Sequence, residues 1–106
     1  MRTPDVVVQF QFNGTRKYPA NDGYSPSHMI TDGYLTSGVH HYNGIESVPV
    51  DGVAVGTITF ITPEAYPNTL WEGKQINIQE GERIVGCATV IEVLNPILNR
   101  KNKESD

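Results

Sequence analysis

Apolar residues recur at every second position along this chain, and glycine-containing turn pairs cut that rhythm into short runs. Val6, Val8, Phe10 and Phe12 alternate with Val7, Gln9 and Gln11, and Ile76 and Ile78 alternate with Gln75, Asn77 and Gln79. Successive side chains of an extended strand point to opposite faces, so such a run buries one face and wets the other. The stretch from Val53 to Ile61 adds Val55, Thr57, Ile58 and Thr59, β-branched residues that fit a pleated surface. Asn13-Gly14, Asp22-Gly23, Asp32-Gly33, Asn43-Gly44 and Asp51-Gly52 are strong turn pairs. No segment carries an apolar stripe at helical spacing. Short strands punctuated this regularly predict an all-β sandwich or barrel, and closure into a barrel removes the exposed edges that invite aggregation.

One run breaks the alternation. From Arg83 to Leu94 both parities are apolar: Val85, Cys87, Ile91 and Val93 against Ile84, Ala88, Val90 and Leu94. This predicts a strand covered on both faces, by the barrel interior on one side and by a docked loop or partner on the other.

With 106 residues the chain is long enough for one domain and not two. The domain is expected over residues 1–98, followed by a wholly polar tail, residues 99–106, that reads as a frayed terminus. A net charge of −4 argues against general nucleic-acid binding, which relies on a basic surface, while leaving room for a local basic patch. Cys87, the single cysteine, cannot form an internal disulfide. The start, Met1-Arg2-Thr3-Pro4-Asp5, lacks an apolar signal segment, and no run approaches the ~20 apolar residues of a membrane span. The expectation is a soluble cytoplasmic protein with no membrane partner.

Two motifs go further. The first runs from Gly14 to Pro26 and includes Gly14, Arg16, Pro19, Gly23, Tyr24 and Pro26. The second runs from Ile78 to Gly86 as Ile78-Gln79-Glu80-Gly81-Glu82-Arg83-Ile84-Val85-Gly86. They resemble the G-G-R-H-T-P…G-Y-R-P and I-R-E-G-G-R-T-V-G motifs of the C-terminal domain of elongation factor Tu, in order and at near-family spacing. Pro67 and Gly73 also keep the family spacing, and the resemblance covers about Asp5 to Leu94. It implies a six-stranded antiparallel β-barrel standing without a GTPase domain. Gly23, Tyr24, Pro26 and Gly86 read as its structural motif, a loop pinned by a buried ring before a new strand. The family's second turn glycine is Glu82 here; a positive φ at that position would strain the turn by about 1 kcal/mol.

In that family the barrel contacts the T-stem backbone of aminoacyl-tRNA, packs against the GTPase domain and docks exchange factors. Residue by residue, the resemblance implies RNA contacts at Arg16, Lys17, Thr36, Glu80 and Gly81. Ser27 stands where a glutamine is frequent, and Tyr66 where a basic residue or histidine is usual, so two long donors are lost from the phosphate grip. No G-x-x-x-x-G-K-[ST] phosphate loop is present, so GTP hydrolysis is not expected and no cofactor is implied.

The remaining chemistry-bearing residues point elsewhere. His40 and His41 are adjacent and face opposite ways on a strand, so with His28 they do not make a metal site. Cys87 lies between Gly86 and Ala88 in an apolar strand and reads as a buried small hydrophobe. Trp71, between Pro67 and Gly73, is either an interface anchor or a cap on one barrel end. With no catalytic set among them, the resemblance implies a non-catalytic binding module that engages a protein partner, in a translation-related or antitoxin/immunity-type role, through the faces that its relatives bury against neighbouring domains. A homodimer would cover the same exposed face. Its rivals are an accessory RNA-binding domain contacting tRNA and a small enzyme using Cys87 or the histidines.

Overall fold

In the computed structural model, which describes residues 3–100, the alternating runs become the staves of one closed ring. Strands β1 (Val6–Phe12), β3 (Ser27–Thr31), β4 (Tyr34–Tyr42), β6 (Val53–Phe60), β7 (Gln75–Glu80) and β8 (Arg83–Val93) form a closed six-stranded barrel in the order β1-β6-β4-β3-β7-β8. Every pairing is antiparallel. Two short strands, β2 (Ala20–Asn21) and β5 (Ser47–Val48), pair beyond the end of β1, and their Ala20 and Val48 are buried. The only helical elements among the described residues are the 3₁₀ turns Pro63–Ala65 and Pro96–Leu98. Neither these nor any other described segment makes a helix long and apolar enough to cross a membrane.

The period-two pattern is realised along β1 and along β7 as far as Ile78; at the register slip that follows, Gln79, expected on the wet face, is buried instead. Val6, Val8, Phe10 and Phe12 of β1 point inward, with Ile58 and Phe60 of β6 and Ile76 and Ile78 of β7. Burying a side chain of this size contributes on the order of 1.5–3 kcal/mol, which makes the ring interior the main source of stability. Beside the start of β1, Asp5 clasps the seam. Its carboxylate accepts from the Phe60 amide at 2.7 Å and from Asn95 Nδ2 at 2.8 Å, and its carbonyl accepts from the Leu94 and Asn95 amides.

Strand β8 corrects one expectation. Its two apolar parities do not mean two covered faces, because Ile84 and Ile91 remain 45% and 46% exposed. The register slips twice: Ile78 pairs with Gly86 while Gln79 pairs with Ile84, and Val7 pairs with Glu92 while Val8 pairs with Val90. Val85 and Ile91 are therefore extra residues. Each bulge switches which parity faces inward and increases the local twist.

Close backbone approaches set the tight curvature. A Cβ at Gly56 would lie 1.9 Å from the His41 carbonyl oxygen, and one at Gly86 would lie 2.5 Å from that of Gln11. Glycine in a strand marks such a crossing. The polar tail is not wholly free: Asn99 bridges to Leu70, and the Arg100 amide donates to the Leu70 carbonyl. The rest of that tail, residues 101–106, lies outside the described residues.

Candidate functional site

The two sequence motifs meet at the β7–β8 hairpin. Glu80 closes β7 and pairs with Arg83 across a two-residue turn, Gly81-Glu82. Gly81 takes the left-handed backbone, φ 63°, and Asn68 is the one non-glycine residue with positive φ among those described. Glu82 is thus unstrained: a single glycine at the first turn position suffices, as in a type II′ hairpin.

The first motif reaches this hairpin because its loop is tied to β8. Asn13 Nδ2 donates to the Ile84 carbonyl at 2.9 Å, and Asn13 Oδ1 accepts from the Thr15 amide. Arg16 is then delivered to Glu80: its Nε donates to Glu80 Oε2 at 2.8 Å, and its guanidinium lies 4.2 Å from the centre of the Tyr24 ring. Tyr24 Oη donates to the same carboxylate oxygen, and Arg83 Nη2 donates to Oε1 at 2.6 Å. The Tyr24 hydroxyl, followed by the two guanidiniums, holds the Glu80 carboxyl down to about 2, against the opposing effect of burial. Burial and the Glu80 hydrogen bond push the Tyr24 phenol up.

Glu80 is therefore a fixed anion serving two arginines and a tyrosine. Glu80→Gln is expected to lower stability by about 1–2 kcal/mol, because it strips the charge that Arg16 and Arg83 share, while solvent screens part of the effect. Urea unfolding at neutral pH measures this, and an unchanged midpoint would show the cluster to be energetically idle.

The other expected contacts are scattered. Lys17 is exposed, with its ammonium 5.8 Å from the centre of the Tyr18 ring. Thr36 is not presented to a partner. It is 7% exposed, and its hydroxyl shares a 3.1 Å hydrogen bond with Tyr66 Oη. Tyr66 packs edge-on against Phe60 and is itself buried, part of the core. Pro26 is buried, and its carbonyl accepts from the Gly38 amide; Gly23 lies at φ 94°. Trp71 is half-buried, with Lys74 Nζ 4.5 Å and the Arg100 guanidinium 4.8 Å from its ring centre. Lys74 also donates to the Ile30 and Thr69 carbonyls, each at 2.6 Å. Trp71 thus sits among cations, and neighbouring Leu70 supplies the buried apolar contact.

Cys87 departs from its expected burial. It pairs with Gln11 and Asn77 on the outer wall and is partly exposed, while desolvation pushes its thiol up and away from thiolate character.

Inside the barrel lies a polar chain that the sequence did not reveal. His28 and His40 are both 0% exposed, and their Nε2 atoms are 2.8 Å apart. The Thr36 carbonyl, 3.2 Å from His28 Nδ1, can only accept, so that nitrogen carries the proton. In neutral rings His28 Nε2 then accepts from His40 Nε2–H, and His40 Nδ1, 3.0 Å from Tyr42 Oη, accepts from that hydroxyl. One carbonyl thereby fixes the direction of the whole relay. Burial lowers His28 to about 4, and burial, then the positive charge His28 would carry, lowers His40 well below its usual value. His41 points outward, 3.4 Å from Asp22. Among the described residues no three His, Cys, Asp or Glu gather as a metal site.

No family model matches the chain.

Proposed function

We propose that this barrel is a non-catalytic module that binds a protein partner in the cytoplasm and mimics the C-terminal barrel of elongation factor Tu. One observation carries the preference for protein over RNA. Among the described residues, three long cationic donors that could grip a phosphate backbone are already committed, Arg16 and Arg83 to Glu80 and Lys74 to two carbonyls, while Lys17 stays exposed. Thr36, which the resemblance places among the RNA-binding residues, faces the core. Reusing Arg16 for RNA would leave Glu80 with Arg83 alone and the Tyr24 ring without its cation, a loss that the new phosphate interaction would have to offset. The raised Cys87 thiol, the buried neutral histidines and the permanently charged Glu80 supply no poised nucleophile or base, which favours binding over catalysis.

The test is a capture experiment with the full chain, at low and moderate salt, with and without nuclease. The expected result is a stoichiometric protein that survives both treatments. Retained tRNA that disappears at moderate salt, and with Lys17→Ala, would overturn the proposal in favour of an RNA-binding domain, because phosphate contacts weaken steeply with salt.

A further inference from the structure

We infer that the outer wall formed by β1, β6 and β4 is a self-complementary docking face for a second copy of this chain. The wall is built from other strands than the Glu80 hairpin, and its occupant does not depend on what that hairpin binds.

The three strands read VVVQFQF, VAVGTITF and YLTSGVHHY. They contain no Asp, Glu, Lys or Arg, although the chain holds twelve acidic and eight basic residues. Along the outer face of β6, Val53 and Val55 are 50% and 41% exposed, Thr57 and Thr59 are partly exposed, and Ile61 just beyond is 65% exposed. The register sets Gln9 beside Val55, Val7 and His41 beside Thr57, and Val39 beside Thr59. Free sheet faces ordinarily intersperse charges, and loss of charge from a patch is the compositional mark of an interface core. At the Ile61 end the wall has relief: a cleft of about 390 Å³ lined by Ser37, Val39, Thr59, Phe60 and Ile61 among others.

Three features select a second copy as the occupant. A two-fold interface sets each residue near its axis against the same residue of the partner, so any charge there would oppose itself; the middle of this wall, around Val55 and Gln9, carries no acidic or basic side chain, and charge stands only at its flanks, at Glu92 beside Val7 and at Asp22 beside His41. The closed ring leaves none of its six strands with an edge to extend, so a second copy that uses this wall meets it face to face. The area also fits. Strands spaced about 4.8 Å apart and about 27 Å long give a footprint of roughly 400 Å². Side-chain relief and the flanking Leu35 and Ile91, both exposed, raise the accessible area toward the ~800 Å² per partner that a stable pair buries.

The experiment is sedimentation equilibrium of the full chain over a dilution series. The expected result is a dimer that dissociates on dilution. Val55→Lys should abolish the dimer, because it brings two ammonium groups into the uncharged centre. Gln9→Glu, an already polar and exposed neighbour of Val55, should do the same without burdening the fold. Asn77→Lys, on the outer face of β7 across the ring, should leave the dimer intact. A wild-type chain that is monomeric at every concentration would overturn the proposal. So would a dimer that survives both wall variants, or one lost equally with Asn77→Lys.

Discussion

Gly56→Ala is expected to cost at least about 3 kcal/mol, enough to unfold a large share of a marginally stable domain. The added methyl would lie 1.9 Å from the His41 carbonyl oxygen and 2.9 Å from its carbonyl carbon. These are backbone atoms, which cannot swing aside as a flexible side-chain end would. Relief requires β4 and β6 to separate where Tyr42 pairs with Gly56, breaking the ladder on one side of a closed ring. Gly56 does not have positive φ, so the effect isolates crowding from backbone strain. Gly44→Ala is the contrasting variant. Its φ is 76° but nothing lies near the new methyl, so it should cost only about 1 kcal/mol. Urea unfolding of the two variants ranks them. Equal losses would mean that β4 and β6 do not approach this closely.

Acid is expected to destabilise the barrel in two successive windows. The first belongs to the interior relay. His28 falls from 6.5 to about 4 on folding, and His40 is also depressed, so the unfolded chain binds protons that the folded chain refuses. Stability is fully present above the unfolded value and declines as pH drops from about 6.5 to about 4, with His28 alone accounting for roughly 3 kcal/mol. The second belongs to Glu80, depressed from 4.5 to about 2; its share is present above 4.5 and lost as pH falls toward 2. Urea midpoints measured across the acid range should fall in both windows. Glu80→Gln should flatten only the lower one, and a double replacement of His28 and His40 by leucine only the upper one. A wild-type midpoint that holds constant between pH 6.5 and 4 would contradict the buried, neutral pair.

Much of the ring was legible in the chain because alternation is a local property. The inward residues of β1, and of β7 as far as Ile78, follow from period two alone; β6 is apolar on both parities, so its inward Ala54, Ile58 and Phe60 do not. Strand β8 misleads because a bulge leaves no mark on hydropathy: its extra residues, Val85 and Ile91, are as apolar as their neighbours. The relay was hidden for a different reason. His28 and His40 meet only because β3 and β4 are adjacent and staggered, and their stagger depends on the slip at Ile30. Arg16 and Glu80 were both singled out, yet as contacts for another molecule. That they satisfy each other depends on a loop being tied to β8, which brings together two residues 64 positions apart in the chain. Thr36 and Tyr66 likewise became each other's partner inside the barrel.

The ring order carries a consequence for how the chain acquires its shape during synthesis. β1 sits between β6 and β8, so the first strand made is sealed against the last. While the ribosome is still adding residues before Arg83–Val93, β1 can join β6 but keeps its other edge open, and β7 has no outer neighbour. Such a half-built sheet displays unpaired amides and carbonyls together with apolar side chains, the state in which β chains capture one another. Pairings this distant in sequence are slow to form. Chaperone demand and misassembly should therefore concentrate in the interval just before β8 emerges, when five of the six staves are in place and the ring cannot yet shut.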